Sequence, residues 1–345
     1  MTWSLGVKTL ILSAAVSASL AITSLAQAAG VVNVYSARKE ALILPLLEQF
    51  ETDTGIEVQL ITGKADELVT RLRTEGVASP ADVFVTVDAG RAVRAKEAGV
   101  LGSMQGADFL AQVPGQYVDA DGQWVALSLR ARVMFYAKGQ INPADIDTYA
   151  EVADPKNQGK LCIRSSGNIY NQSLMGALIE HNGESDALAW AQGVVANMAR
   201  NPAGGDTDQI RAVAVGVCDF AVANTYYFGR LLASDKPEDK AVVEKVDLVW
   251  PDQQGNGTHI NASMAGITKY APNRDNAEKL IAYLLSEDAQ RFYAEINHEF
   301  PVIDGVAASL TMQKFGEFKR DALPLETLGV NNARAVKTMD QAGWK

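Results

Sequence analysis

Residues 31–55, VVNVYSARKEALILPLLEQFETDTG, change their period partway along. VVNVY is a β-rich run; from Ser36 onward apolar residues recur at helical spacing, with Ser36 as the expected cap and Gly55 as the stop. The unit then repeats. IEVQLIT (56–62) leads into KADELVTRLRTEG (64–76), and ADVFVTV (81–87) into DAGRAVRAKEAG (88–99). Such alternation predicts an α/β protein with a mainly parallel sheet and helices packed on it. The pattern loosens after Leu101, and WVALSLRARVMFYAK (124–138) reads as one long strand or two joined ones. Alternation resumes with KLCIRSS (160–166), NIYNQSLMGALIEHNG (168–183) and VCDFAVAN (217–224). An interruption and restart near Leu129 predicts two lobes, with the long strand crossing between them. The expected partition is residues 29–130 plus 257–307 for one lobe and 131–256 plus 308–345 for the other.

At 345 residues and 48% apolar composition, the chain is long enough for one large or two medium domains. Its first segment stands apart. Lys8 precedes a long Ser/Ala-rich apolar stretch that ends in Ala26-Gln27-Ala28, the small-x-small signature of a signal-peptidase site. We therefore expect a cleaved leader over residues 1–28; the alternative is an uncleaved membrane anchor. The formal charge of −10 becomes −11 once Lys8, the only charged residue of the leader, is gone. An acidic chain is a poor partner for nucleic acid or an anionic membrane. Export also sets the redox context: Cys162 and Cys218 are the only cysteines, and in an oxidising compartment they are expected to pair, the alternative being two buried thiols.

Four of the ten tyrosines fall at expected strand-to-helix junctions: Tyr35, Tyr170, Tyr226 and Tyr227. Ligands of open α/β sheets bind at that edge, where helix N-termini also point. A phenol ionises near pH 10 and becomes a good ligand only beside a strong positive charge. Hard trivalent iron supplies that charge and suits an anionic oxygen donor. Three phenolates would leave the site neutral and four would leave it at −1, which a nearby arginine would balance; Arg38, Arg130, Arg132, Arg164 and Arg230 are the candidates. The plainer alternative for each tyrosine is an amphipathic filler, ring packed and hydroxyl in water.

At these residues the sequence resembles the periplasmic ferric-iron-binding proteins of ABC importers. The resemblance covers nearly all the chain after residue 28 and is carried by VYSAR (34–38), ADVFVTVDAGRAVRAKEAGVL (81–101), LSLRARVMFY (127–136), SSGNIYNQSL (165–174), ANTYYFGRLL (223–232) and the run from Gly257 to Val302. The paired tyrosines are its specific element. It implies a two-lobed type II periplasmic-binding-protein fold with hinge crossover strands, closing on one Fe3+. Tyr226 and Tyr227 would be the principal ligands, Tyr170 the third and Tyr35 the fourth, with water or an anion such as carbonate completing the shell. It further implies a monomeric, non-enzymatic receptor that serves an inner-membrane permease. Some relatives carry His before the first tyrosine; Val34 stands there in this chain. The competing expectation is a receptor of the same fold for a small organic or anionic solute.

Other patterns carry less. G-x-S-x-G is absent, so a hydrolase is unsupported. Asp206 and Asp208 read as a solvated loop capping the next helix, and SSGNIYN as a hydroxyl- and amide-lined helix entry suited to an anion. His259 reads as a structural or hinge residue.

Overall fold

The computed structural model describes Met1 and residues 30–345; the leader expected over residues 1–28 otherwise lies outside the described residues. Among the described residues eight strands form the sheet: β1 (Val31–Ser36), β2 (Glu57–Thr62), β3 (Val83–Val87), β4 (Val125–Ala137), β5 (Leu161–Cys162), β6 (Phe220–Asn224), β7 (Val246–Val249) and β8 (Ile260–Ile267). Their order is β2-β1-β3-β8-β4-β6-β5, with β7 pairing to β4. The helices that matter for the sites are α1 (Leu44–Thr54), α2 (Ala65–Glu75), α3 (Ala89–Glu97), α4 (Tyr149–Val152), α5 (Ile169–Asn182), α6 (Glu184–Asn197), α7 (Asp206–Ala214) and α8 (Thr225–Leu232).

The sheet is mixed, not mainly parallel. Pairings β1–β2, β1–β3 and β5–β6 are parallel, as the strand-helix alternation predicts. The centre is antiparallel, because β8 returns from far along the chain to lie between β3 and β4. β4 is a single strand of 13 residues; Val125–Ala131 pair with β8, whereas Arg132–Ala137 pair with β6 and β7. Of the two sequence readings, one long strand or two joined ones, the structure has the first. The near-continuous burial of β4 agrees with a strand covered on both faces.

The first helix begins later than expected. Ser36 is the last residue of β1, and α1 starts at Leu44 after a short 3-10 turn over Glu40–Leu42. Pro45 explains the shift: it lacks an N–H and fits the first helical turn, where that donor has no partner anyway. Gly55, at φ 72°, ends α1 as the sequence predicts. Cys162 and Cys218 are joined by a disulfide that ties β5 to the turn before β6.

Candidate functional site

The chain turns from strand to helix between Asn224 and Thr225, so Tyr226 and Tyr227 follow a helical rather than an alternating path. Neighbours in a helix are about 100° apart, and two adjacent phenols thus share one cavity. Their ring centroids lie 4.2 Å apart. Tyr170, the second residue of α5, meets them there: the Tyr226 hydroxyl donates to the Tyr170 hydroxyl at 3.3 Å. Three phenol oxygens therefore line one cavity of about 200 Å3. Both helices present their N-terminal ends, whose partial positive charge favours anionic oxygen. α5 is fixed against the first half of the molecule by Ser173, which donates to Asp88 at 2.7 Å. Asp88 itself caps α3 from a left-handed conformation, φ 82°, by accepting from the Gly90 N–H.

Around the phenols the walls are cationic. Arg38, Lys39, Arg91, Arg130 and Arg230 line the cavity, against a single carboxylate, Glu299. The Arg230 guanidinium stacks over Tyr226 at 4.9 Å and Tyr227 at 5.8 Å from the ring centroids, and Arg130 lies 5.9 Å from that of Tyr226. Glu299 anchors this wall: Arg38 donates to it at 2.8 Å, Ser128 donates to it, and Arg130 lies 3.8 Å away. Burial alone would raise the Glu299 pKa, but Arg38 and Arg130 hold it below the usual carboxylate range.

Tyr226 and Tyr227 are held in their protonated form. Burial, reinforced by Tyr170 and Tyr227, pushes Tyr226 well above 10, and burial with Tyr170 and Asp206 pushes Tyr227 up to about 12. Only a ligand carrying high positive charge would deprotonate them at neutral pH.

Tyr35 is not brought to this cluster, contrary to expectation. β1 continues through Ser36, so Tyr35 is an interior strand residue, fully buried, opposite Ile61 and Phe84. Its hydroxyl donates to the Glu75 carboxylate on α2, 3.0 Å away, and Arg71 covers its ring at 4.7 Å. Of the five candidate arginines, Arg38, Arg130 and Arg230 line the cavity, whereas Arg132 and Arg164 are tied to Asp206 at 3.0 and 2.9 Å. Asp206 is completely buried, correcting its reading as a solvated residue; Asp208 does cap α7, accepting from the Gly205 N–H. Asn171 of the SSGNIYN stretch spends its amide on Arg132 and the Arg164 and Ser165 carbonyls, which leaves no open anion pocket from that side chain. Lys39, Arg91 and Glu299 escaped sequence reading. The only signal for the first two is their place just past a strand end, and Glu299 has none.

The profile of a family described as bacterial extracellular solute-binding protein matches residues 46–320. Iron uptake protein A1 of Synechocystis sp. is 48% identical over 314 residues, covering 91% of this chain and 87% of that protein. An Fe(3+)-binding periplasmic protein of Serratia marcescens is 27% identical over 311 residues, covering 90% of this chain and 89% of that one. Among solved structures, a Trichodesmium protein (IdiA, FutA), described as in complex with iron and citrate ligands, superposes with a TM-score of 0.88 at 46% identity, covering 92% of this chain and all of that one.

Proposed function

The chain belongs to the bacterial extracellular solute-binding protein family, and from that premise we propose that it is a periplasmic receptor that captures one Fe(III) ion and delivers it to the permease of an ABC importer. It has the two-lobed type II fold of periplasmic binding proteins, and its role is that of a receptor rather than an enzyme. The lobes are taken as residues 29–130 with 257–307 and 131–256 with 308–345, hinging where β4 passes from one to the other. One observation carries the reading: the hydroxyls of Tyr170, Tyr226 and Tyr227 converge on a single arginine-walled cavity.

Those three tyrosines are the proposed donors. Their phenolates neutralise the charge of the ion, and the surplus of arginine and lysine over Glu299 then favours a further anion, carbonate or a carboxylate such as the citrate of the Trichodesmium complex. The surroundings of Tyr35 give no support to its expected place as fourth donor, since its hydroxyl is committed to Glu75. Binding energy from donors on one lobe and from Arg38, Arg91 and Arg130 on the other would favour the closed form, which a permease reads. The cationic wall also favours a second reading, a receptor for an anionic solute without metal.

Titration with ferric citrate separates the two. Phenolate ligation gives a visible charge-transfer band that disappears on anaerobic reduction, and Tyr227→Phe, which keeps the aromatic wall, abolishes or strongly weakens it. A colourless ferric complex, or a band indifferent to Tyr227→Phe, defeats the iron reading.

A further inference from the structure

A second cavity, of about 520 Å3, shares no lining residue with the phenol site. It lies between α4, α5, α6 and the loop of residues 252–259, with Asp321 on one side. Its charged lining is acidic: Asp186, Asp252 and Asp321 face it, and no lysine or arginine does. Asp321 is 5% exposed and is paired with the His181 Nε2 at 2.8 Å. Among the described residues the Asp252 carboxylate accepts one hydrogen bond, a long one of 3.3 Å from the Tyr149 N–H, while its backbone carbonyl accepts from the Gly255 and Gly257 N–H groups. Burial, with Asp321 and Asp147 adding to it, keeps the Asp252 pKa above the usual carboxylate range.

The second, independent observation is His259. Its backbone is fully engaged: the N–H donates to the Tyr149 hydroxyl at 3.0 Å and the carbonyl accepts from Arg132. The side chain is 3% exposed and lines the cavity; its ring makes no hydrogen bond to the described residues, and its nitrogens are open to the cavity rather than sealed away. An imidazole open only to a cavity is free to bond whatever occupies it. Burial pushes its pKa down to about 4, so the ring is neutral at pH 7 and offers one acceptor nitrogen and one donor.

The chemistry of this lining selects its ligand. Among the described residues no group of three or more His, Cys, Asp or Glu side chains is arranged to hold a metal ion. Carboxylates that only accept, an imidazole that accepts, and the aromatic walls of Tyr149 and Trp190 instead match a cation with N–H donors and some apolar surface. We propose that this cavity binds a small organic cation bearing a primary ammonium or guanidinium group, with Asp252 and Asp321 as counter-charges and the His259 ring as a hydrogen-bond partner.

The test is calorimetric titration of the full mature chain with butane-1,4-diamine and with butylguanidinium, alongside butan-1-ol and glutarate as neutral and anionic counterparts. At least one of the cations is expected to bind one-to-one with Kd below about 1 mM, and the counterparts are expected not to bind. Asp252→Asn should weaken the cation by about tenfold or more while its circular dichroism and urea midpoint show it folded. The imidazole resonances of His259 in the native chain should move on saturation, a readout that needs no variant. Failure of both cations to bind, equal binding by folded Asp252→Asn, preference for glutarate, or unmoved His259 resonances would overturn the proposal.

Discussion

Iron capture by buried phenols should be written in protons. Each phenol that becomes a ligand must give one up, and Tyr227, pushed up to about 12, holds its proton against roughly 7 kcal/mol at pH 7 in the empty site. The metal has to supply that energy. Loading three phenolates therefore releases three protons per ion, and the sign follows: affinity rises with pH, by about a thousandfold per unit in the neutral range. Calorimetry in two buffers of different ionisation enthalpy counts the protons directly. Iron is supplied as the nitrilotriacetate chelate, whose own proton exchange is measured in a protein-free blank. Tyr227→Phe should reduce the count to two and the pH dependence to about a hundredfold per unit. Fewer than two protons from the native chain, or an unchanged count in the variant, would refute the phenolate mechanism.

Three further outcomes are expected. Tyr35→Phe should leave the ferric band intact and cost about 1 kcal/mol in a urea melt through loss of the hydrogen bond to Glu75; loss of the band would restore Tyr35 as a donor. Asp206→Ala strands the buried Arg132 guanidinium and should destabilise the fold by about 3–5 kcal/mol, whereas a surface role would leave the urea midpoint within 1 kcal/mol by the same reckoning. Replacing both cysteines with serine opens a covalent loop with a sequence separation of 56 and should cost about 4 kcal/mol, checked by comparing denaturation of the native chain with and without reductant.

Local physics made part of this legible in the sequence. The strand-to-helix switch after Asn224 explains two adjacent phenols with nothing but side-chain periodicity, and Tyr170 sits in the first turn of α5, after the loop that follows β5. Tyr35 illustrates the limit of the same reasoning. One residue decides whether a side chain ends a strand or is buried within it, and the extension of β1 through Ser36 is set by pairing with β2 and β3, which no local window contains. Asp206 departs from its sequence expectation for a related reason. Its surroundings in sequence are polar, but its partners Arg132 and Arg164 arrive from other elements and turn a loop acid into a buried bridge. Glu299, which fixes the arginine wall, reaches Arg38 across 261 positions. The antiparallel centre of the sheet was hidden in the same way, since β8 is inserted between β3 and β4 from far downstream.

That insertion has a consequence for how the protein is made. The sheet edge of β3 stays unpaired until Ile260–Ile267 have been synthesised, because β8 is its neighbour. Long-range closure of this kind is slow, so a nascent chain keeps its first half unsealed through most of its synthesis, the condition in which a polypeptide is most easily threaded through a membrane pore.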